Sequence, residues 1–261
     1  MFNNFGILSN INPRRAGAVA PSGYTPVASA NLTSFFLSSM TNLMTQSLNK
    51  VSQQTIYLGS YGVANQPTAG DQPTINATTL NSRNVIDFAG GGDRLLSNVD
   101  FNTSSTSQDL TLCILAKRDS GLSEITSLIG QWSQSGGDFR RWKIEIDASN
   151  IVRLYSNTQF GIFDVSGSGL PITAWTAYWI VYDRLTGQNT FTYNNNVPIG
   201  AIIKSNKLDA GMGFIMGAAA PAESTTWKGS IGSVAVWNRK LTNAEKTTEI
   251  GYINTYWGLS L

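Results

Sequence analysis

From Asn84 onward, short apolar runs recur, each closed by glycine, asparagine or serine. Val85-Ile86-Asp87-Phe88 runs into Gly90-Gly91-Gly92, a turn. Leu110 to Ala116 is continuous enough for a buried strand. Trp142 to Asp147 and Ile151 to Tyr155 flank Ala148-Ser149-Asn150, which predicts a hairpin. Trp179, Val181 and Asp183 alternate with Tyr178, Ile180 and Tyr182. Leu185-Thr186-Gly187-Gln188 then turns into Thr190 to Tyr193, and Asn194-Asn195-Asn196 turns again. Ile199 to Ile203, Gly213 to Met216 and Ile231 to Trp237 supply further strands. Short strands at this spacing argue for an all-β sandwich.

One helix stands out near the C-terminus. Thr242-Asn243-Ala244-Glu245 forms a capping box, in which hydroxyl and carboxylate satisfy each other's exposed N–H groups. Ile250, Ile253 and Trp257 then share one face, and Gly258 can end the helix. Upstream the pattern weakens. Residues 59–82, rich in Gly, Pro, Asn and Thr, are expected to be loop, and residues 31–48 leave helix and strand both open. Residues 1–30, broken by Pro13, Pro21 and Pro26, are expected to be an extended arm ahead of one domain at 31–261.

Composition narrows the function. The chain has 261 residues, a length that one sandwich can fill. Only 13% are charged, against a usual share of about a quarter. Serine, threonine, asparagine, glutamine and glycine must therefore cover the surface, as in an extracellular or particle-surface protein. The net charge of +2 is scattered, which argues against nucleic acid. There is no histidine, so the commonest general base and metal ligand is missing. Cys113 is the only cysteine, excluding an intrachain disulfide and a thiolate zinc site, and its strand context points to a small core residue. The first residues do not read as a secretion signal and no run is long enough for a membrane helix, so a phage virion protein made in the host cytoplasm is expected, with a bacterial cell-surface protein as the alternative.

The closing stretch, Lys228-Gly229-Ser230-Ile231-Gly232-Ser233-Val234-Ala235-Val236-Trp237-Asn238-Arg239-Lys240-Leu241-Thr242, resembles the signature that ends laminin-G-like, concanavalin-like domains. Val85 to Leu95 is similar to their opening strand and turn, and Ala174 to Asp183 to their strand ending in Tyr-Asp. Asn194-Asn195-Asn196 stands where members usually turn through Asp-Gly. The resemblance covers roughly residues 27–261, with a leader, Asp71-Gln72-Pro73-Thr74 and Leu80-Asn81, like that of phage and bacterial members. It implies a concanavalin-like jelly-roll β-sandwich with a short C-terminal helix. It does not fix the function, because the fold hosts lectins, adhesins, virion parts and glycosidases.

Glu145 and Asp147 lie at i and i+2 on a strand and share a face. Concanavalin-like glycosidases carry Glu-x-Asp-x-x-Glu, the outer glutamates serving as nucleophile and acid; here the third place is Asn150. A solvated charge pair beside Lys143 and Arg153 is the expectation, and no catalytic residue. Gly90 to Gly92 followed by Asp93 lacks the Gly-Lys-Ser/Thr of a phosphate loop. No metal or cofactor is expected; Asp93, with Asp87 and Asp100 near in sequence, leaves calcium as the alternative. Trp175, Trp179 and Trp237 match core positions of the family. Trp132, Trp142 and Trp227, near loops, are candidate sugar-stacking residues or buried anchors. The sequons at Asn31, Asn76 and Asn102 have no use without export.

The expected function is thus a non-enzymatic virion structural or adhesion protein of a phage, as a capsid decoration, head fibre or tail component, with a carbohydrate-binding sandwich. Phe2, Phe5, Ile7, Leu8, Arg14 and Arg15 would attach the arm to capsid or tail proteins or to copies of the chain. A host-surface glycan is the other expected partner. A bacterial lectin or adhesion module and a glycoside hydrolase are the alternatives.

Overall fold

A computed structural model describes residues 24–56, 58–59, 62–98, 109–131, 142–158, 161–203, 213–220 and 224–261. In chain order the strands are β1 Leu32–Leu37, β2 Met44–Ser47, β3 Lys50–Thr55, β4 Leu58–Gly59, β5 Val63–Asn65, β6 Thr74–Leu80, β7 Arg83–Ala89 and β8 Leu95–Ser97. There follow β9 Leu110–Arg118, β10 Thr126–Gln131, β11 Trp142–Ile146, β12 Val152–Thr158 and β13 Gly161–Gly167. The last are β14 Thr176–Asp183, β15 Gln188–Tyr193, β16 Val197–Ile203, β17 Ile215–Met216 and β18 Lys228–Trp237, ahead of helix α1 Asn243–Trp257.

The pairings are antiparallel and resolve into two layers. In the first, β4, β1, β18, β9, β14, β15 and β16 lie side by side, and β6 and β7 continue beside the start of β18 where β1 leaves off. The second runs β2, β3, β5, β8, β17, β10, β11, β12, β13. A Lys50–Thr74 pairing links the layers.

Two-residue periodicity decides what fills the space between them. Leu112, Ile114 and Ala116 of β9, and Tyr178, Ile180 and Tyr182 of β14, meet Ile144 and Ile146 of β11 and Val152 and Leu154 of β12 in one core. Strand β18 breaks the period: Ile231, Val234 and Val236 all face this core because the register shifts between Ile231 and Ser233. The bulge inserts one residue and restores the inward face.

The first layer is apolar on its other side as well, and α1 covers it. Cys113, Leu115, Trp179, Ala235 and Trp237 pack with Ile250, Ile253, Tyr256 and Trp257 of the helix. The rings of Trp179 and Trp237 stack at 6.2 Å. The capping box forms as the sequence predicts, with Thr242 and Glu245 bonded reciprocally, and Gly258 ends the helix in the left-handed region at φ 66°. Cys113 is buried and its thiol is pushed well up by burial, as a core residue's should be.

One expectation needs correction. Residues 74–80, expected in a loop, form β6, which returns to β7 through Asn81 and Ser82, both at positive φ. Its Asn and Thr residues pair at an edge and carry no apolar signal. The segment 31–48 resolves as β1, a turn and β2. The packed body also starts earlier than residue 31. Tyr24 is 1% exposed and lies between the rings of Phe35 and Tyr256. Residues 1–23 of the proposed arm, with Phe2, Phe5, Ile7, Leu8, Arg14 and Arg15, lie outside the described residues.

Candidate functional site

The outer face of the second layer holds the charged side chains that the sequence singles out. Trp142, Ile144 and Ile146 point inward, so Lys143 and Glu145 point out. The register sets Glu145 opposite Ser127 and Arg153, and Tyr155 opposite Lys143 and Asp164. One strip across β10 to β13 therefore carries Ser127, Glu145, Lys143, Arg153, Tyr155 and Asp164.

These charges neutralise one another. Lys143 pairs with Glu145, and its ammonium sits 5.1 Å from the centre of the Tyr155 ring. Arg153 bridges Asp147 at 3.0 Å and Asp164 at 2.7 Å. Burial and the neighbouring Glu145 carboxylate push the Tyr155 hydroxyl up to about 12, so it stays protonated. Burial is the largest single influence on Asp147 and raises it, but the N–H groups of Ile151 and Ser149 and the Arg153 guanidinium together outweigh it and hold the carboxyl below the usual carboxylate range.

The segment after β17 roofs one end of the strip. Ala219 and Ala220 are buried and pack against Tyr155. Gly130 permits the approach: a Cβ there would stand 2.8 Å from that of Lys143 and 3.1 Å from the Ala219 Cα. Ser127 receives the end of the roof, donating its N–H to Thr225 O at 2.8 Å. Arg153 and Asp164 lie beyond the roof and are the more exposed members, at 28% and 37% of their side chains.

Asn150, in the place of a third carboxylate, is committed elsewhere. It occupies the β11–β12 turn at φ 63°, and its Oδ1 accepts from Arg118 Nη1 at 2.6 Å. Arg118 is 1% exposed and also donates to Thr126 Oγ1 and Glu124 O.

Two of the tryptophan candidates, Trp142 and Trp227, are not on this face. Trp142 is 1% exposed and Trp227 is fully buried, both in the core between the layers. Trp142 Nε1 donates to Gln131 Oε1 at 2.9 Å. Neither offers a ring face to a sugar, because both rings are buried in the core between the layers. Trp132 lies outside the described residues. Of the calcium candidates, Asp93 Oδ2 accepts the Ala89 N–H and Asp87 Oδ1 the Ser230 hydroxyl, while Asp100 lies outside the described residues. No group of three metal-ligating side chains occurs among the described residues. Among them, too, no helix is long and apolar enough to cross a membrane. Tyr155, which the sequence reading did not single out, is legible in hindsight: Arg153 and Tyr155 alternate with Val152 and Leu154 as Lys143 and Glu145 alternate with the β11 core residues.

A family model described as Concanavalin A-like lectin/glucanases superfamily, of the laminin-G type, matches residues 90–245, over half of the chain. The chain belongs to this superfamily. Solved structures of the same fold include the binding domain of a Paraclostridial mosquitocidal protein, with TM-score 0.59 and 14% identity, covering 89% of this chain and 56% of that one. Trypanosoma rangeli sialidase gives TM-score 0.59 and 14% identity, over 87% of this chain and 33% of the sialidase. An HCR/D mutant gives 0.54 and 12%, over 89% and 55%. The chain thus spans about half or less of these neighbours' lengths. No curated protein matches the sequence.

Proposed function

We propose that this superfamily member is a non-catalytic carbohydrate-binding domain whose binding face is the strip around Tyr155, Arg153 and Asp164. Both activities in the family's description, lectin and glucanase, address carbohydrate. The pairing of Glu145, Asp147 and Asp164 with Lys143 and Arg153 carries the choice between them. Glycoside hydrolysis needs two carboxyl groups, one of them holding a proton at working pH. Asp147 is held ionised, and Asn150 takes the place of the second glutamate. Fixed carboxylates and guanidinium groups beside a tyrosine ring are instead what sugar hydroxyls need as acceptors, donors and a partly apolar wall.

The decisive experiment pairs a glycan array with calorimetry on intact protein and on Tyr155→Ala and Arg153→Ala. Binding that both variants weaken at least tenfold supports this face; binding unaffected by either removes it. Release of reducing ends from a polysaccharide panel, lost in Glu145→Gln, would establish catalysis instead.

The polar, weakly charged composition and the apolar stretch Phe2, Phe5, Ile7, Leu8 favour display on a particle, with a phage virion as the reading put forward and capsid or tail proteins or further copies as partners. Detecting the chain in purified particles tests this. Recovery only from bacterial envelopes would favour the adhesion-module alternative.

A further inference from the structure

The segment Tyr24–Val27 sits in a built seat. The Tyr24 ring stacks on Tyr256 at 5.0 Å and meets Phe35 edge-on at 5.2 Å. Its hydroxyl donates to Glu249 Oε1 at 2.8 Å, and the Val27 N–H donates to Glu249 Oε2 at 2.8 Å. Trp237 Nε1 donates to Val27 O at 2.8 Å. Glu249 is 1% exposed, so its carboxylate depends on these donors.

A short strained turn joins the segment to the rest of the fold. Ala28 stands in the left-handed region, φ 49° and ψ 42°, ahead of a 3₁₀ turn at Ser29–Asn31. A side chain there is strained where glycine would not be. The atoms of the seat lie on β1, β18 and α1 and none on the turn, so an identical segment from another molecule can make the same contacts. Opening the turn relieves Ala28 and loses none of them. Short hinges under strain favour such exchange.

We propose that Tyr24–Val27 exchanges between two copies of the chain, each segment occupying the other's seat in a closed two-fold dimer. The proposal is independent of the carbohydrate reading and does not involve the Tyr155 face. Reciprocal exchange leaves no seat empty, so assembly stops at two.

The test uses the full chain, with light scattering across a concentration series. Ala28→Pro fixes φ near −65° and excludes the closed turn, so the dimer dissociation constant should fall roughly tenfold or more. Ala28→Gly removes the strain and should shift the equilibrium toward monomer by a similar factor. In parallel, a photoreactive residue at Thr25 is placed in isotopically light and heavy copies of otherwise native protein. Light–heavy cross-links between the residue-25 peptide and α1 in the dimer fraction establish the exchange even if Ala28→Pro does not fold. Dimers whose cross-links join only like isotopes overturn it, as does a native chain that stays monomeric throughout the series.

Discussion

The guanidinium of Arg118, at the end of β9, holds the amide oxygen of Asn150 at 2.6 Å across the mouth of the β11–β12 hairpin. The residue standing where glycosidase members have a carboxylate is thus a structural acceptor. Asn150→Gly should lose the acceptor alone, while Asn150→Ala loses it and gains left-handed strain. The expected costs are about 1 and about 2–3 kcal/mol, read from chemical denaturation. Equal costs would show that the backbone at this turn carries no strain. Arg118→Met should be worse than either, at roughly 3 kcal/mol, because it removes three hydrogen bonds at once, the one to Thr126 fully buried.

Trp142 and Trp227 pack between the layers, so their loss should act on stability before it acts on any ligand. Either alanine variant is expected to cost roughly 3–5 kcal/mol. Thermal melts alongside a glycan array separate the effects: a variant with native stability but no glycan binding would return these residues to a ligand site.

Trp257 closes the outer face of the first layer under α1. Trp257→Ala should destabilise by roughly 3–5 kcal/mol, and Thr242→Ala, which removes only the cap, by about 1 kcal/mol. If both variants melt with the native protein, the helix contributes nothing to the fold.

Glu249 sets a pH dependence. Burial pushes its carboxyl up to about 7 from an ordinary 4.5, against the opposing pull of the Val27 N–H and the Tyr24 hydroxyl. The folded state therefore holds a proton that the unfolded chain has released between these values, and stability falls as pH rises through them. The contribution is fully present below about 4.5 and gone above about 7. Other ionisable groups face the same seat: Tyr24 from the N-terminal segment, Cys113 from β9, Lys246 and Tyr256 from α1, with the Arg83 guanidinium 4.2 Å from the Tyr256 ring. Glu249→Gln should flatten the stability profile between pH 5 and 8, as followed by denaturation. An unchanged slope would assign it to another group.

The longest apolar runs in the sequence are strands of the first layer or beside it, where core can lie on both sides. Val85–Phe88, Leu110–Ala116 and Ile231–Trp237 lie in or beside the first layer, where the opposing sheet buries one face and, for β9 and β18, α1 covers the other. Strand β6 was hidden because its register shifts between Ile75 and Thr79 and its exposed threonines leave no apolar period. The same split governs the site. Glu145 and Asp147 were visible as a same-face pair, but their partners Arg153, Asp164 and Ser127 come from other strands, and only register brings them together. Nearness to a loop in sequence does not decide which side of a sheet a ring takes, and Trp142 and Trp227 take the buried-anchor alternative.

Strand β18 lies between β9 on one side and both β1 and β7 on the other. A ribosome making this chain therefore releases the middle of the sheet after the other strands of both layers. Until Lys228–Trp237 emerges, β1, β7 and β9 each present an unsatisfied edge, and β1 must wait about two hundred residues for its partner, a separation that makes pairing slow. During that interval the nascent domain should be prone to aggregation, and interrupted synthesis should yield insoluble fragments rather than smaller folded ones.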